Sequence, residues 1–331
     1  MPLLVILISG MVLIVLAADY FTNGIEWLGF QAHVHEGATG SLLAAMGTAL
    51  PETLVPVAAI YFSGSKPDDA IGLGAIFGAP LMLATLGFAV IGVGLWSAGR
   101  PRLSVPSGPS SFRADLQFFL LAFAVAVAFN WIPRPWHPLG AALLVVLYGW
   151  HARRVIRAVP STGLEAKAPD RPLHLFPSRA PSLATAGLQV AIALFGLVLG
   201  AHFFVQGLDQ VTAHIHVSQF LLSVLITPVA TELPEVFNSV IWLRHGRDSL
   251  AVGNVSGAMA FQASVVPALG LMVTRWQLSL PELATAAVAW LGAVWILWVS
   301  RQGSVRREYL LASVLIYFGF LGACLALLGV V

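Results

Sequence analysis

Charge is scarce in this chain. Asp, Glu, Lys and Arg make up 10% of its 331 residues, where a soluble domain of ordinary composition carries about 25%. With 58% hydrophobic residues and a mean hydropathy of +0.86, that shortage excludes a water-soluble domain and points to many membrane crossings. Cysteine is scarcer still. Cys324 stands alone, so no disulfide framework or cysteine-based metal site can form within one chain. No block of basic residues suggests nucleic acid, and a net charge of +2 spread over loops identifies no protein partner. Met1-Pro2-Leu3 runs straight into apolar sequence without a positive segment, so the expectation is a first transmembrane helix rather than a signal peptide. Neither His-x-x-x-His nor Gly-x-Ser-x-Gly nor an aspartate pair falls at membrane depth. That argues against the alternative of an intramembrane metal-dependent hydrolase, and for a chain that is not an enzyme and carries no prosthetic group.

At about 20 apolar residues per crossing, the sequence predicts ten spans. They lie near 2–20, 38–62, 70–96, 113–132, 136–153, 183–206, 219–243, 249–274, 280–300 and 308–330. Between the fifth and sixth lies a stretch rich in proline (Pro160, Pro169, Pro172, Pro177, Pro181) and mixed charge, which reads as an irregular solvated linker. The predicted fold class is an all-α polytopic membrane protein of ten transmembrane helices. Residues 1–157 form a first five-helix repeat, 158–182 a linker and 183–331 a second five-helix repeat.

Loop charge orients these spans. Of the 17 basic residues, all but Lys66, Arg134 and Arg275 fall in loops after the odd-numbered spans or in the linker. The positive-inside rule then puts the linker in the cytoplasm and both termini on the outer side of a cell membrane. Five helices per half is an odd number, so the second half enters the bilayer upside down relative to the first. Tryptophans such as Trp27, Trp131, Trp136, Trp242, Trp276 and Trp298 fall near predicted span ends, as an interfacial belt would.

The repeat is visible in the letters. Shifting the chain by 183 positions lays Gly24–Ala58 on Gly207–Ile241 without a gap. Thr48, Leu50, Pro51 and Glu52 then fall on Thr231, Leu233, Pro234 and Glu235. Each segment puts a carboxylate and a proline inside an apolar run. An ionisable residue at that depth costs roughly 2.5–3.5 kcal/mol on insertion scales and marks function. A proline frees the carbonyl four residues earlier, here at Gly47 and Ala230. Carbonyls, threonine hydroxyls and carboxylates are the oxygen donors that hard cations such as calcium prefer. Interrupted helices in corresponding positions of two inverted halves are the sequence mark of a secondary transporter's site.

On helices, Thr48 shares a face with Glu52, Thr231 shares one with Glu235, and Glu232 and Asn238 point the same way. The next helix of the second half carries Asn254, Ala258 and Gln262 at i, i+4 and i+8. The matching stripe of the first half is Ala75, Ala79 and Leu83, without a polar atom. The site should therefore be lopsided, with the carboxylates of Glu52 and Glu235 within about 10 Å, the reach of a shared calcium. Glycines 72, 74, 78, 253 and 257 read as close-packing points. The pairs His33/His35 and His214/His216 resemble metal ligands, but inversion sends them to opposite faces.

These two segments resemble the repeats of the cation/calcium exchanger superfamily, specifically its prokaryotic sodium/calcium antiporters, whose signature is G-T-S-L-P-E followed by G-N-x-x-G-S-N-I. The resemblance spans the ten-helix plan and implies antiport of calcium against sodium by alternating access, with a proton-coupled exchanger as the alternative. Calcium and sodium, or protons, are then transported ions, and the partners are those cations and the lipid bilayer, with no obligatory protein partner. In that family the second helix of each half supplies threonine, serine and glutamate ligands. The third supplies serine and asparagine or aspartate. The implied ligand set here is Thr48, Glu52, Thr231, Glu232, Glu235, Asn254 and Gln262. Gln262 stands where the second repeat usually has an acid and Glu232 where it has serine. Ala49, Ala79 and Ala258 replace ligand serines, and Leu83 replaces an asparagine.

Overall fold

The computed structural model describes residues 2–31, 52–57, 70–105, 112–158, 169, 171–177, 181–215, 218–244, 246 and 248–327. The described chain is almost wholly helical. Helix α1 is Pro2–Gln31, α2 is the helical run 52–57, and α3 is Ala70–Ser97. After α4 (Phe112–Ala128) come α5 (His137–Ala158), α6 (Leu183–Ile215) and α7 (Gln219–Arg244). The last four are α8 (Asp248–Gln262), α9 (Val265–Val273), α10 (Leu280–Val299) and α11 (Arg307–Leu327).

Seven of the described segments are long and apolar enough to cross a membrane: Leu4–Gln31, Ala70–Ser97, Phe112–Trp131, Leu183–His214, Ala251–Val273, Leu280–Val299 and Arg307–Cys324. The two arms of α7 make an eighth if counted as one span. Helix α5 has the length to cross, and carries Arg153, Arg154 and Arg157 in its last two turns. The second predicted span, 38–62, is described only over 52–57. The first and sixth crossings run past their predicted ends, to Gln31 and Ile215. Polar residues such as Asn23 and Gln206 sit inside helix there, with side-chain partners that satisfy them.

Helices α1 and α6 pack along one another, with Gly10, Gly200 and Gly207 at the seam. A Cβ on Gly10 would lie 2.4 Å from the Phe204 nitrogen, and one on Gly207 2.6 Å from the Leu7 backbone. Their apolar side chains, with Val55 of α2, make one buried cluster. A second, larger cluster joins the other helices. Within it the first part of α3 packs on α7 and α10, and its last part on α11; α8 packs on α4 and α9 on α5.

Three helices are broken near their middles. Pro234 removes a ladder bond from α7, and the arms Gln219–Glu232 and Glu235–Arg244 meet at 47°, a kink of the kind proline causes. Helix α3 loosens into a π turn over Leu83–Gly87. A similar interruption separates α8 from α9, where Ser264 leaves helical geometry.

Two features tie loops together on one face. Strand β1 (Arg102–Ser104) pairs antiparallel with β2 (Ser304–Arg306), Leu103 opposite Val305. Beside them, both terminal nitrogens of Arg100 donate to Asp248 at 2.6 Å, and the Ser104 amide donates to the same carboxylate at 3.0 Å.

The linker is not fully solvated as its composition suggested. Leu173 is fully buried against Trp27 and Ala186. Asn23 donates to the Pro172 carbonyl, Trp27 to that of Arg171 and Gln31 to that of Pro181. Apolar residues scattered among five prolines leave too weak a pattern to read from sequence.

Candidate cation site

Three glutamates converge where the broken helices meet. Glu52 enters from α2; Glu232 and Glu235 come from either side of the α7 bend, one turn apart. All three are buried, Glu232 completely and Glu235 to within 1%. One carboxylate oxygen from each lies within 4.8 Å of the others. Two ligands on opposite sides of one calcium, each at roughly 2.4 Å, stand at most about that far apart. The triangle is therefore the size one hard cation spans. This lies inside the 10 Å limit expected between Glu52 and Glu235.

Helical spacing accounts for the meeting of Glu232 and Glu235. In an unbroken helix, residues three apart project along one stripe; the bend at Pro234 turns that stripe toward α2 and α8. Gln262, on the last turn of α8, donates from Nε2 to Glu232 Oε1 at 2.8 Å. The Thr231 hydroxyl reaches the same oxygen at 3.3 Å and the Thr227 carbonyl at 3.4 Å.

What remains unpaired is as informative. Both Glu52 oxygens, Glu232 Oε2 and Gln262 Oε1 are buried without a hydrogen-bond partner among the described residues. Removing such groups from water without compensation costs several kcal/mol each when charged. All are acceptors, so the deficit is of positive charge: protons or a cation. These donor oxygens fit a hard cation as cargo.

The other expected ligands divide. Asn254 is half-buried, and its Nδ2 donates to the Glu235 carbonyl at 3.0 Å and to Ser239 Oγ at 3.3 Å. Ser239 in turn donates to that same carbonyl at 2.9 Å. Asn254 thus fastens α8 to the lower arm of α7. Ala75, Ala79 and Leu83 are buried and apolar, as the lopsided reading required. Thr48, Ala49, His33, His35 and His216 lie outside the described residues; His214 is exposed and bonded to the Gln210 carbonyl. Gly74 and Gly78 are close-packing points, but no described atom lies within 4 Å of a Cβ built at Gly253 or Gly257.

One pairing escaped the sequence reading. Thr85 in the π turn of α3 bonds back to the Leu81 carbonyl at 2.5 Å, and Ser264 bonds back to that of Ala260 at 2.7 Å. The two hydroxyls take the same place in their helices, in the frame that aligns Leu83 with Gln262 rather than the frame of the Thr-x-Leu-Pro-Glu segments.

Comparison with known proteins gives a family and a fold. The profile of the family described as sodium/calcium exchanger protein matches residues 2–152 and 185–326. A candidate antiporter of Alkalimonas amylolytica, CaxA, is 23% identical over 337 residues, covering 96% of each chain. The inner membrane protein YrbG of Escherichia coli is 24% identical over 275 residues, covering 81% of this chain and 79% of that one. Among solved structures, the H+/Ca2+ exchanger CAX superposes with a TM-score of 0.79 at 17% identity, over 97% of this chain and 82% of that one. The sodium-calcium exchanger NCX_Mj gives 0.62 at 17% identity, over 97% and 98%. At these identities the structures speak for the fold.

Proposed function

The chain belongs to the sodium/calcium exchanger protein family and is a membrane cation antiporter; from that premise we propose that it exchanges calcium against protons at Glu52, Glu232 and Glu235. The observation that carries this reading is the triangle of buried carboxylates within 4.8 Å. Three carboxylates so close cannot all stay ionised once a cation departs. They take up protons in its place, and the empty carrier returns with its charge balanced. Calcium entering from the other side displaces them.

Sodium coupling, which the resemblance favours, calls for neutral oxygen cages from both halves. Ala75, Ala79 and Leu83 of α3 provide no side-chain oxygen in the first. Gln262 supplies a free Oε1 and no charge, while Glu232 supplies a charge in place of a hydroxyl. The balance of donors favours protons.

The wider plan is part of the same proposal: ten crossings in two inverted halves, 1–157 and 183–331, joined by a cytoplasmic linker with both termini outside. Packing supports the exchange of halves, since α5 on α9 answers α11 on the end of α3, and α4 on α8 answers α10 on its beginning. Six crossings separate the loop holding β1 from that holding β2, and an even number is what pairing on one face requires. Reagent labelling of a cysteine placed at 173–177 checks the sidedness.

The deciding experiment is calcium uptake into proteoliposomes. Uptake driven by a proton gradient without sodium is expected. Uptake driven only by sodium would overturn proton coupling, and none under either gradient would overturn calcium as cargo.

A further inference from the structure

A second buried ionisable cluster lies apart from the glutamates. His151 Nε2 is 3.0 Å from Asp115 Oδ1, and Ser256 Oγ donates to Asp115 Oδ2 at 2.6 Å. Asp115 is in the first turn of α4, His151 two turns before the end of α5, and Ser256 on α8. All three are buried, Ser256 completely. Phe118 stacks on the imidazole, centroids 4.3 Å apart, and Tyr148 packs on Phe118 and Phe261. An ionisable pair in the membrane region costs enough to carry a function by default, and neither member belongs to the cation site.

We propose that Asp115, His151 and Ser256 form a second proton-binding site, through which protons from the linker side of the membrane control how firmly α8 is held. Side is set by chain continuity: α5 ends at Ala158 and leads into the linker, and His151 is about 10 Å of helix from that end. Imidazole is the side chain that exchanges a proton near neutral pH. With the proton, the pair is neutral overall and sealed by Phe118. Without it, one negative charge remains among apolar side chains. Its relief is water entering between α4 and α8, at the expense of the Ser256 bond. Helix α8 is thereby fastened at low pH and loosened as pH rises. Among the described residues, the titratable groups facing His151 are Asp115 from α4 and Tyr148 from its own helix. Helix α9 presents none, and the one acid of α8, Asp248, is bound to Arg100.

The consequence for transport rests on the proposed function, because α8 also carries Gln262 and Asn254. The test does not. Hydrogen–deuterium exchange over 248–262, corrected for intrinsic rate, is measured at pH 6 and pH 9 in the full-length protein. Wild type should lose at least about fivefold in protection, the low end of ordinary coupling between sites. His151→Gln should show no such change, and Ser256→Ala should be loose at both pH values. Equal pH responses in wild type and His151→Gln, or a wild-type α8 indifferent to pH, would overturn the proposal. Should His151→Gln fail to fold, His151→Asn and the Ser256→Ala profile decide it by the same criterion. Calcium flux is read separately: an inactive wild type with a pH-responsive α8 would count against the calcium reading alone.

Discussion

Helix α3 and the pair α8–α9 use one backbone device with opposite chemistry. Helix α3 opens into a π turn and α8–α9 is interrupted, each with a hydroxyl, Thr85 or Ser264, bonded back one turn. Along the stripe that leads to that break α3 carries Ala75, Ala79 and Leu83, whereas α8 carries Asn254 and Gln262. Helix α3 is also locked against its neighbour: a Cβ on Gly78 would stand 2.7 Å from the Val224 carbonyl, which Pro228 leaves without its helical donor. The comparison separates two tasks. Among the described residues, α3 and α8–α9 share the backbone irregularity, while the neutral side-chain donors of the proposed site lie on α7 and α8, and Glu52 is the donor proposed from the N-terminal part of the chain.

That division can be broken most directly at the acids. Glu52→Gln should reduce calcium flux by about a hundredfold or more, since losing one partner of a buried charged set costs roughly 3–5 kcal/mol. Glu235→Gln should do the same, and both proteins should insert and fold, because a buried charge has been removed. Flux near wild type in either would show that its half needs no carboxylate.

Moving charge within the second half sharpens the contrast. Glu232→Ser alone should shift exchange toward sodium and flatten its pH dependence between about pH 6 and 8. The double variant Glu232→Ser with Gln262→Glu keeps three carboxylates and should recover calcium flux relative to the single. Failure to recover would mean that position on α7, not charge count, governs binding.

Smaller effects test the packing. Gly78→Ala must push α3 from α7 and should cost about 1–3 kcal/mol, seen as a lower melting temperature in detergent. Gly149→Ala, where nothing described lies within 4 Å of the new Cβ, should be neutral. Arg100→Gln removes the bidentate bond to Asp248, the main reason the Arg100 guanidinium holds its proton even above its ordinary range. A half-exposed ion pair of this kind contributes about 1 kcal/mol, so the melting temperature should fall slightly and the cation site should be untouched.

Much of the site was legible because its signals are local. Proline and glutamate repeated in one frame picked out Glu52 and Glu235, the one-turn spacing from Glu235 picked out Glu232, and the periodicity from Asn254 picked out Gln262. Asn254's partner was not legible, since only the bend of α7 brings the Glu235 carbonyl to it. Thr85 and Ser264 were missed because they differ in residue type and lie two positions beyond the stripes that end at Leu83 and Gln262. Asp115, His151 and Ser256 come from three helices and have no common spacing. The docked part of the linker, held through carbonyls of Arg171, Pro172 and Pro181, depends on groups that every residue possesses.

The pairing of Leu103 with Val305 has a consequence for biosynthesis. Its strands come from distant parts of the chain, and β2 follows α10. A nascent chain inserting from its N-terminus presents Arg102–Ser104 as an unpaired edge until nearly all the helices are in place. Long-range pairing of this kind forms late and slowly, and an open edge is a place for wrong partners. The ribbon is thus the last stitch of assembly on that face, and a polypeptide halted before Ser304 would leave its first half without this fastening.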